Sequence, residues 1–170
     1  MTDGPQRDRD PAGRARNDRP RDGLGRPLPR GSTGVERVPE NLVLPPIESL
    51  AEAQRLLDDG RPFHAHEVLE GTWKAAPDSE RDLWQGLAQL AVGVTHLARG
   101  NPTGAVTLLR RGAARLTSYR ENPPYGVDVV ALVDYAHRTA DALVASDGET
   151  PGLEVPRLRG PGQAQEPVDV

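Results

Sequence analysis

The chain contains no cysteine, which excludes disulfides, thiolate zinc sites and a cysteine nucleophile. It carries no strong charge of one sign: the net charge is -4 over 170 residues, with a pI of about 5.6. A chain so balanced exerts no general attraction on nucleic acid or anionic lipid. No long hydrophobic run is present either. The richest stretch, Leu83 to Ala98, is broken by Gln85, Gln89 and His96, and is too short and too polar to span a bilayer. The N-terminus begins with Arg and Asp among its first residues where a secretory leader needs an apolar core. These absences together lead to the expectation of a cytoplasmic protein without membrane attachment. Lysine is almost missing, Lys74 standing alone against twenty arginines, which reflects a GC-rich genome more than a function.

The apolar residues are concentrated in the middle. Residues 1–40 hold nine Arg, seven acids, six Pro and six Gly. Ordering a backbone costs about 1–2 kcal/mol per residue, and a segment so poor in aliphatics cannot offset that by burial. Residues 1–40 and 148–170 are therefore expected to be disordered tails, the first rich in Arg, Pro and Gly, the second in Pro and Gly. The helical domain is placed at 41–147, which is long enough for one small core.

Within that span the punctuation is helical. Pro46 opens a first helix bearing Ile47, Leu50, Ala53 and Leu57, and Gly60 stops it. Pro62 opens a second, reaching about Lys74. Asp78 or Ser79 is the expected N-cap of a third, which runs to Arg99. "GNP", Gly100 to Pro102, marks a turn into a fourth helix with Asn101 as its cap. "ENPPYG" interrupts before a fifth helix carrying Val129, Val133, Ala136, Ala140 and Leu143. Alternating β-branched segments bounded by hairpin turns are absent. The fold class is all-α, a compact antiparallel bundle of about five helices.

Two polar stripes stand out against this apolar background. On the second helix, Phe63, His66, Glu70 and Trp73 share a face, with Glu67 at its edge. On the third, otherwise apolar nearly all round, Gln85, Gln89, Gly93 and His96 fall on one line. A short linker makes these helices antiparallel neighbours, so the stripes can meet, flanked by Trp73 and Trp84. Gly86 and Gly93 are expected to permit close backbone approach there.

The stretches "FHAHEVLEGTW" and "QGLAQLAVGVTHLARGNPTGAVTLLRRGAARL" resemble the bacterial domain-of-unknown-function family numbered 309. The resemblance rests on His66, Glu67, Glu70, Trp73, Gln85, Gly86 and His96, and runs loosely from Ile47 to Ala145. It implies a compact multihelical fold and brings no established activity. His64 departs from the family pattern and is expected at the surface.

The chemistry legible in these residues is limited. His66 and Glu70, at i and i+4, share a helix face as helical metal ligands must. Folding the two helices back on each other, at about 1.5 Å rise per residue, leaves His96 on the order of 13 Å along the axis from His66. No single ion spans that, so any metal would have His66 and Glu70 alone. Gln85 and Gln89 fall level with Glu70 and His66, and are good hydrogen-bond partners. The favoured reading is an interior His66/Glu70/Gln85/Gln89 network in a structural or protein-interaction module. The alternative is a small-ligand or metal-binding, hydrolytic protein using His66, Glu67 and Glu70. No catalytic residue is assigned, because Thr72 faces away from His66 and no other nucleophile is near. No cofactor is implied. His96 is expected to be a core histidine bonded to a backbone or carboxyl group, and His137 to be exposed. Trp73 and Trp84 are expected to pack. Arg110, Arg111 and Arg115 form a solvated face, not a nucleic-acid patch, and no repeat period is present. The partner is left open, with another protein as one reading, because short helical hairpins leave grooves that accept partner helices.

Overall fold

The computed structural model describes residues 19–39, 42–146, 152 and 154–161. Among these described residues five α-helices follow in order: α1 (Pro46–Asp58), α2 (Pro62–Ala75), α3 (Arg81–Ala98), α4 (Pro102–Leu116) and α5 (Val129–Ala145). Among the described residues there are two isolated β-bridges and no strand. The chain is all-α, as its periodicity indicates.

The helix ends follow the local chemistry with one exception. Pro46 and Pro62 lie in the first turns of α1 and α2, where a missing N–H costs nothing. Gly60 and Gly100 take left-handed φ values of 70° and 71° after α1 and α3, a conformation that penalises residues bearing a Cβ. Asn101 caps α4 by accepting from the Gly104 N–H at 3.0 Å, and Asp128 caps α5 through the Ala131 N–H at 3.1 Å. Neither Asp78 nor Ser79 caps α3. Asp78–Glu80 form a 3₁₀ turn instead, and α3 starts at Arg81 without a side-chain cap.

The helix that is apolar nearly all round takes the middle. α3 packs against both α2 and α4, while α1 lies on α2 and α5 on α4. Its Leu83, Trp84, Leu87, Leu90 and Val94 are buried with Leu50, Leu69, Leu109 and Leu132. The close approach made by its glycines is to α4, not α2. A Cβ on Gly93 would stand 2.8 Å from Leu109 Cγ, and one on Gly112 of α4 would stand 2.8 Å from the Gly86 carbonyl. Between α1 and α2 the buried Ser49 and Thr72 hydroxyls bond each other at 2.6 Å. Thr72 also donates to the Val68 carbonyl, so this polar pair is satisfied inside the core. Among the described residues no helix is long and apolar enough to cross a membrane.

Both flanking segments touch the helices, a role that their composition conceals. Leu158 is buried in the core, only 2% exposed. Its N–H donates to Gln54 Oε1 at 2.8 Å and its carbonyl accepts from the Asp128 N–H at 3.0 Å. Residues 19–39 lie against α2, as described below. Averaged over 23 residues (148–170) a tail looks unable to bury itself, yet Leu158, with buried Pro156 and half-buried Val155 beside it, docks residues 154–161 on the helices. For residues 1–18, 40–41, 147–151, 153 and 162–170, the tail and boundary expectations fall outside the described residues. We propose that 41–147 is the helical core but not the full stable unit. Truncating a buried leucine to alanine costs about 2–5 kcal/mol, and Leu158→Ala at this peripheral position should fall at the low end. Urea midpoints should drop for Leu158→Ala and for a 41–147 fragment. Midpoints equal to that of the full chain would remove Leu158 from the core.

Candidate functional site

Helical spacing divides the exposed side of α2 into two stripes. His66, Glu70 and Trp73 line one, and Phe63, Glu67 and Gly71 line the other. In the first, His66 Nε2 lies 3.5 Å from Glu70 Oε2, and Lys74 Nζ lies 2.9 Å from Glu70 Oε1. The His66 and Glu70 side chains keep 23% and 34% of their surface, so solvent reaches them from one side. Burial pushes the His66 pKa below its usual value, assisted by Lys74 and opposed by the Glu70 carboxylate and the Phe63 backbone. Its Nδ1 is buried, and no hydrogen bond of good geometry reaches it.

On α3, Gln85, Gln89, Val92 and His96 form the least buried line of the central part of the helix. Gln89 Oε1 is buried without a hydrogen-bond partner. Among the described residues neither glutamine bonds His66 or Glu70, so the four side chains expected to close an interior network stand half-buried with only the His66–Glu70 contact made. No group of three or more His, Cys, Asp or Glu among the described residues is arranged to hold a metal. His66 and Glu70 together offer two ligands.

Three histidines differ in fate. His96 Nδ1 pairs with Asn101 Nδ2 at 3.0 Å, so its partner is the amide that caps α4 and not a backbone or carboxyl group. The ring thereby belongs to the α3–α4 turn. His137 is exposed on α5. His64, expected at the surface, is buried to 1% because the segment around Gly23 covers it. Burial pushes its pKa down, with Arg61 adding to the effect, while a hydrogen bond to the Gly23 backbone and the Asp22 carboxylate oppose it. Its Nδ1 has no partner.

The aromatics also separate. Trp84 is fully buried, its Nε1 donating to Glu80 Oε2 at 3.2 Å and its ring 5.9 Å from Tyr125. Tyr125 holds a left-handed φ of 58° while its hydroxyl donates to Glu80 Oε1 at 2.7 Å. Trp73 packs against the core from a half-buried position. Phe63 belongs to the site, its ring centroid 6.0 Å from that of His66. The Arg21 and Arg99 guanidinium carbons lie 5.6 and 5.7 Å from the same ring. Sequence reasoning did not single out Arg21, Gly25 or Arg99. "DGLG", Asp22 to Gly25, is a turn signal, but nothing in it says which helix the turn meets. On α4, Arg110 pairs with Asp141 at 3.1 Å, and Arg115 pairs with Asp82, as suits a solvated face.

All the candidate residues from Phe63 to His96 lie inside one matched segment. Residues 50–108 match the model of the family described as Domain of unknown function (DUF309). Over these residues the chain is similar to that family. The match runs from α1 into α4 and leaves α5 and both flanking segments outside it. The chain is similar to the Uncharacterized protein YpuF of Bacillus subtilis (strain 168), with 44% identity over 48 residues. That stretch spans 28% of this chain and 28% of the relative. No solved structure matches the chain.

Proposed function

We propose that the helical domain of this chain is a protein-interaction module. Its recognition surface is the His66–Glu70 stripe of α2 with the Gln85–Gln89 line of α3. The observation that supports this is the half-exposed His66–Glu70 pair, whose side chains keep 23% and 34% of their surface beside the half-buried Gln85 and Gln89. The open side of Glu70 offers a carboxylate acceptor, and the two glutamines add amide groups. The fitting partner face presents donors, such as a lysine, an arginine or an amide. An opening on one side of the stripe suits a protein face better than a small molecule, whose sites enclose most of the ligand. A cytoplasmic location is part of the proposal.

The second reading, a small-ligand or metal-binding hydrolytic protein using His66, Glu67 and Glu70, draws on the 3.5 Å His66–Glu70 approach. Elemental analysis of the purified protein addresses it: stoichiometric zinc, iron or manganese lost on His66→Ala would favour this reading over the first.

Two measurements test the interaction module. Replacing an unpartnered buried amide by an apolar side chain removes a desolvation cost of about 1–3 kcal/mol. Gln89→Leu should therefore raise stability, by about 1 kcal/mol given partial exposure. A loss of similar size in urea unfolding would make Gln89 a structural partner instead. A photo-crosslinking residue at position 85 should form a discrete protein adduct in the native cells, one that His66→Ala abolishes. Equal adduct yield from position 137 would reject the surface.

A further inference from the structure

The second stripe of α2 is already occupied. Residues 20–28 form a tight turn in which Asp22 Oδ1 accepts from the Leu24 and Arg26 N–H groups at 3.0 and 2.8 Å. The Leu28 N–H closes back onto the Pro20 carbonyl at 2.7 Å. Gly25 sits at the tip with φ 74°, flat against Phe63, where any Cβ would overlap the ring. Arg99, from the end of α3, donates to the Leu24 carbonyl through both Nε and a terminal nitrogen, and Arg61 donates to the Glu36 carbonyl at 2.7 Å. Further along, the Leu42 carbonyl lies where a side chain on Gly71 would be. Phe63, Glu67 and Gly71 are thus an aromatic platform, a charge and a gap at i, i+4 and i+8, read by a segment of matching shape.

One feature of this docking is incomplete. Glu67 Oε2 is buried without a hydrogen-bond partner, and so is Arg61 Nε. The neighbouring Arg21 donates to the Gly25 carbonyl and Arg37 to the Arg19 carbonyl, so their charges surround Glu67 while Oε2 stays unbonded. Burial accordingly pushes the Glu67 pKa up, with Arg21 and Arg37 opposing. A segment that placed a guanidinium directly on Glu67 would satisfy the stripe better than the segment now there, since arginine–carboxylate pairing is among the stronger hydrogen-bonded contacts.

We propose that the Phe63–Glu67–Gly71 stripe, with Arg99 at its end, is a docking surface for a peptide turn carrying a glycine and an arginine, and that residues 20–38 are its tethered, displaceable occupant. Glycine is required against Phe63, a main-chain carbonyl meets Arg99, and the incoming arginine takes Glu67. The partner is a segment of another protein with that turn chemistry. The surface adjoins the His66–Glu70 stripe at the Phe63–His66 ring contact, but the two readings use different groups, so failure of one leaves the other standing.

The full-length chain carries the test. Gly25→Val places a branched side chain against Phe63 at a left-handed φ, so amide exchange of residues 20–28 should accelerate at least tenfold while α3 and α4 stay protected. Unchanged exchange would overturn the docking geometry. A fluorescent synthetic peptide of residues 19–39 should then bind Gly25→Val at least tenfold more tightly than the parent, whose stripe is filled. Adding Glu67→Gln should not weaken that binding, since this segment leaves Oε2 unbonded, and adding Phe63→Ala should abolish it. Equal binding to parent and variant, or none up to millimolar peptide, would overturn the proposal. A parent chain that sediments as a dimer and is dissociated by the peptide would reassign the occupant to a second copy, against tethering within one chain.

Discussion

Trp84→Ala should lower the unfolding free energy by about 3–5 kcal/mol, the range for deleting a large buried aromatic. Small domains hold about 5–15 kcal/mol in total, so the variant should be marginal at room temperature. The indole is fully buried among core residues, and α3 touches both α2 and α4, so the cavity would open where the bundle has least freedom to collapse. The indole also holds Glu80 from below. Without it Glu80 keeps the Tyr125 hydroxyl, so no stranded charge adds to the loss, and the effect should be one of packing alone. Trp84→Phe should cost clearly less. Trp73→Ala, at a half-buried position, should also cost less. Far-UV circular dichroism in urea can follow all three without relying on the tryptophan signal. A Trp84→Ala loss below about 1 kcal/mol would contradict its core placement.

The contrast between the two tryptophans shows what the sequence could and could not reveal. Helix positions were legible because their signals are local: Pro46 and Pro62 in first turns, Gly60 and Gly100 after last turns, Asn101 as a cap. The central place of α3 was legible from its apolar circumference. The α3 start was not, because Asp78 and Ser79 are good caps in isolation, yet the 3₁₀ turn uses this stretch differently and Glu80 is held by Trp84 and Tyr125. The two stripes on α2 followed from spacing, but their degree of burial did not. His64 shows why. Nothing local distinguishes it from an exposed residue, and its burial comes from a turn forty residues earlier. Leu158 repeats the lesson at the other end, where it and Val155, in a polar, Pro/Gly-rich segment, reach the core while Gln54 and Asp128, far away in sequence, hold the Leu158 backbone. Glycines gave half an answer: Gly86 and Gly93 signalled close approach, while the partner helix, α4, was set by tertiary packing.

The same covered histidine makes stability depend on pH in a direction that can be worked out. His64 and His66 both have pKa values lowered by burial, so the folded state disfavours their protonation. An unfolded histidine titrates near pH 6.5. Above that pH neither state binds the proton and nothing is lost. As the pH falls below it, the unfolded chain takes up protons that the folded chain refuses, and stability declines by up to about 1.4 kcal/mol per pH unit for each histidine until its folded pKa is passed. Two groups together give as much as about 2.7 kcal/mol per unit. Glu67 acts in the other sense, because its pKa is raised by burial: in the window just above the ordinary carboxylate range, acidification favours the folded state and blunts the decline. The loss is therefore expected to set in as the pH falls through about 6.5, the unfolded value, and to continue toward the lowered folded-state values of the two rings. For His64, burial and the Arg61 charge outweigh the Gly23 backbone bond and the Asp22 carboxylate, which favour the charged ring. His64→Gln should remove one share of the slope and His66→Gln the other. Urea midpoints at half-unit intervals from pH 7.5 to 5 decide the matter. A parent as stable at pH 5.5 as at 7.5, or variants with unchanged slope, would mean that neither ring is held neutral by the fold.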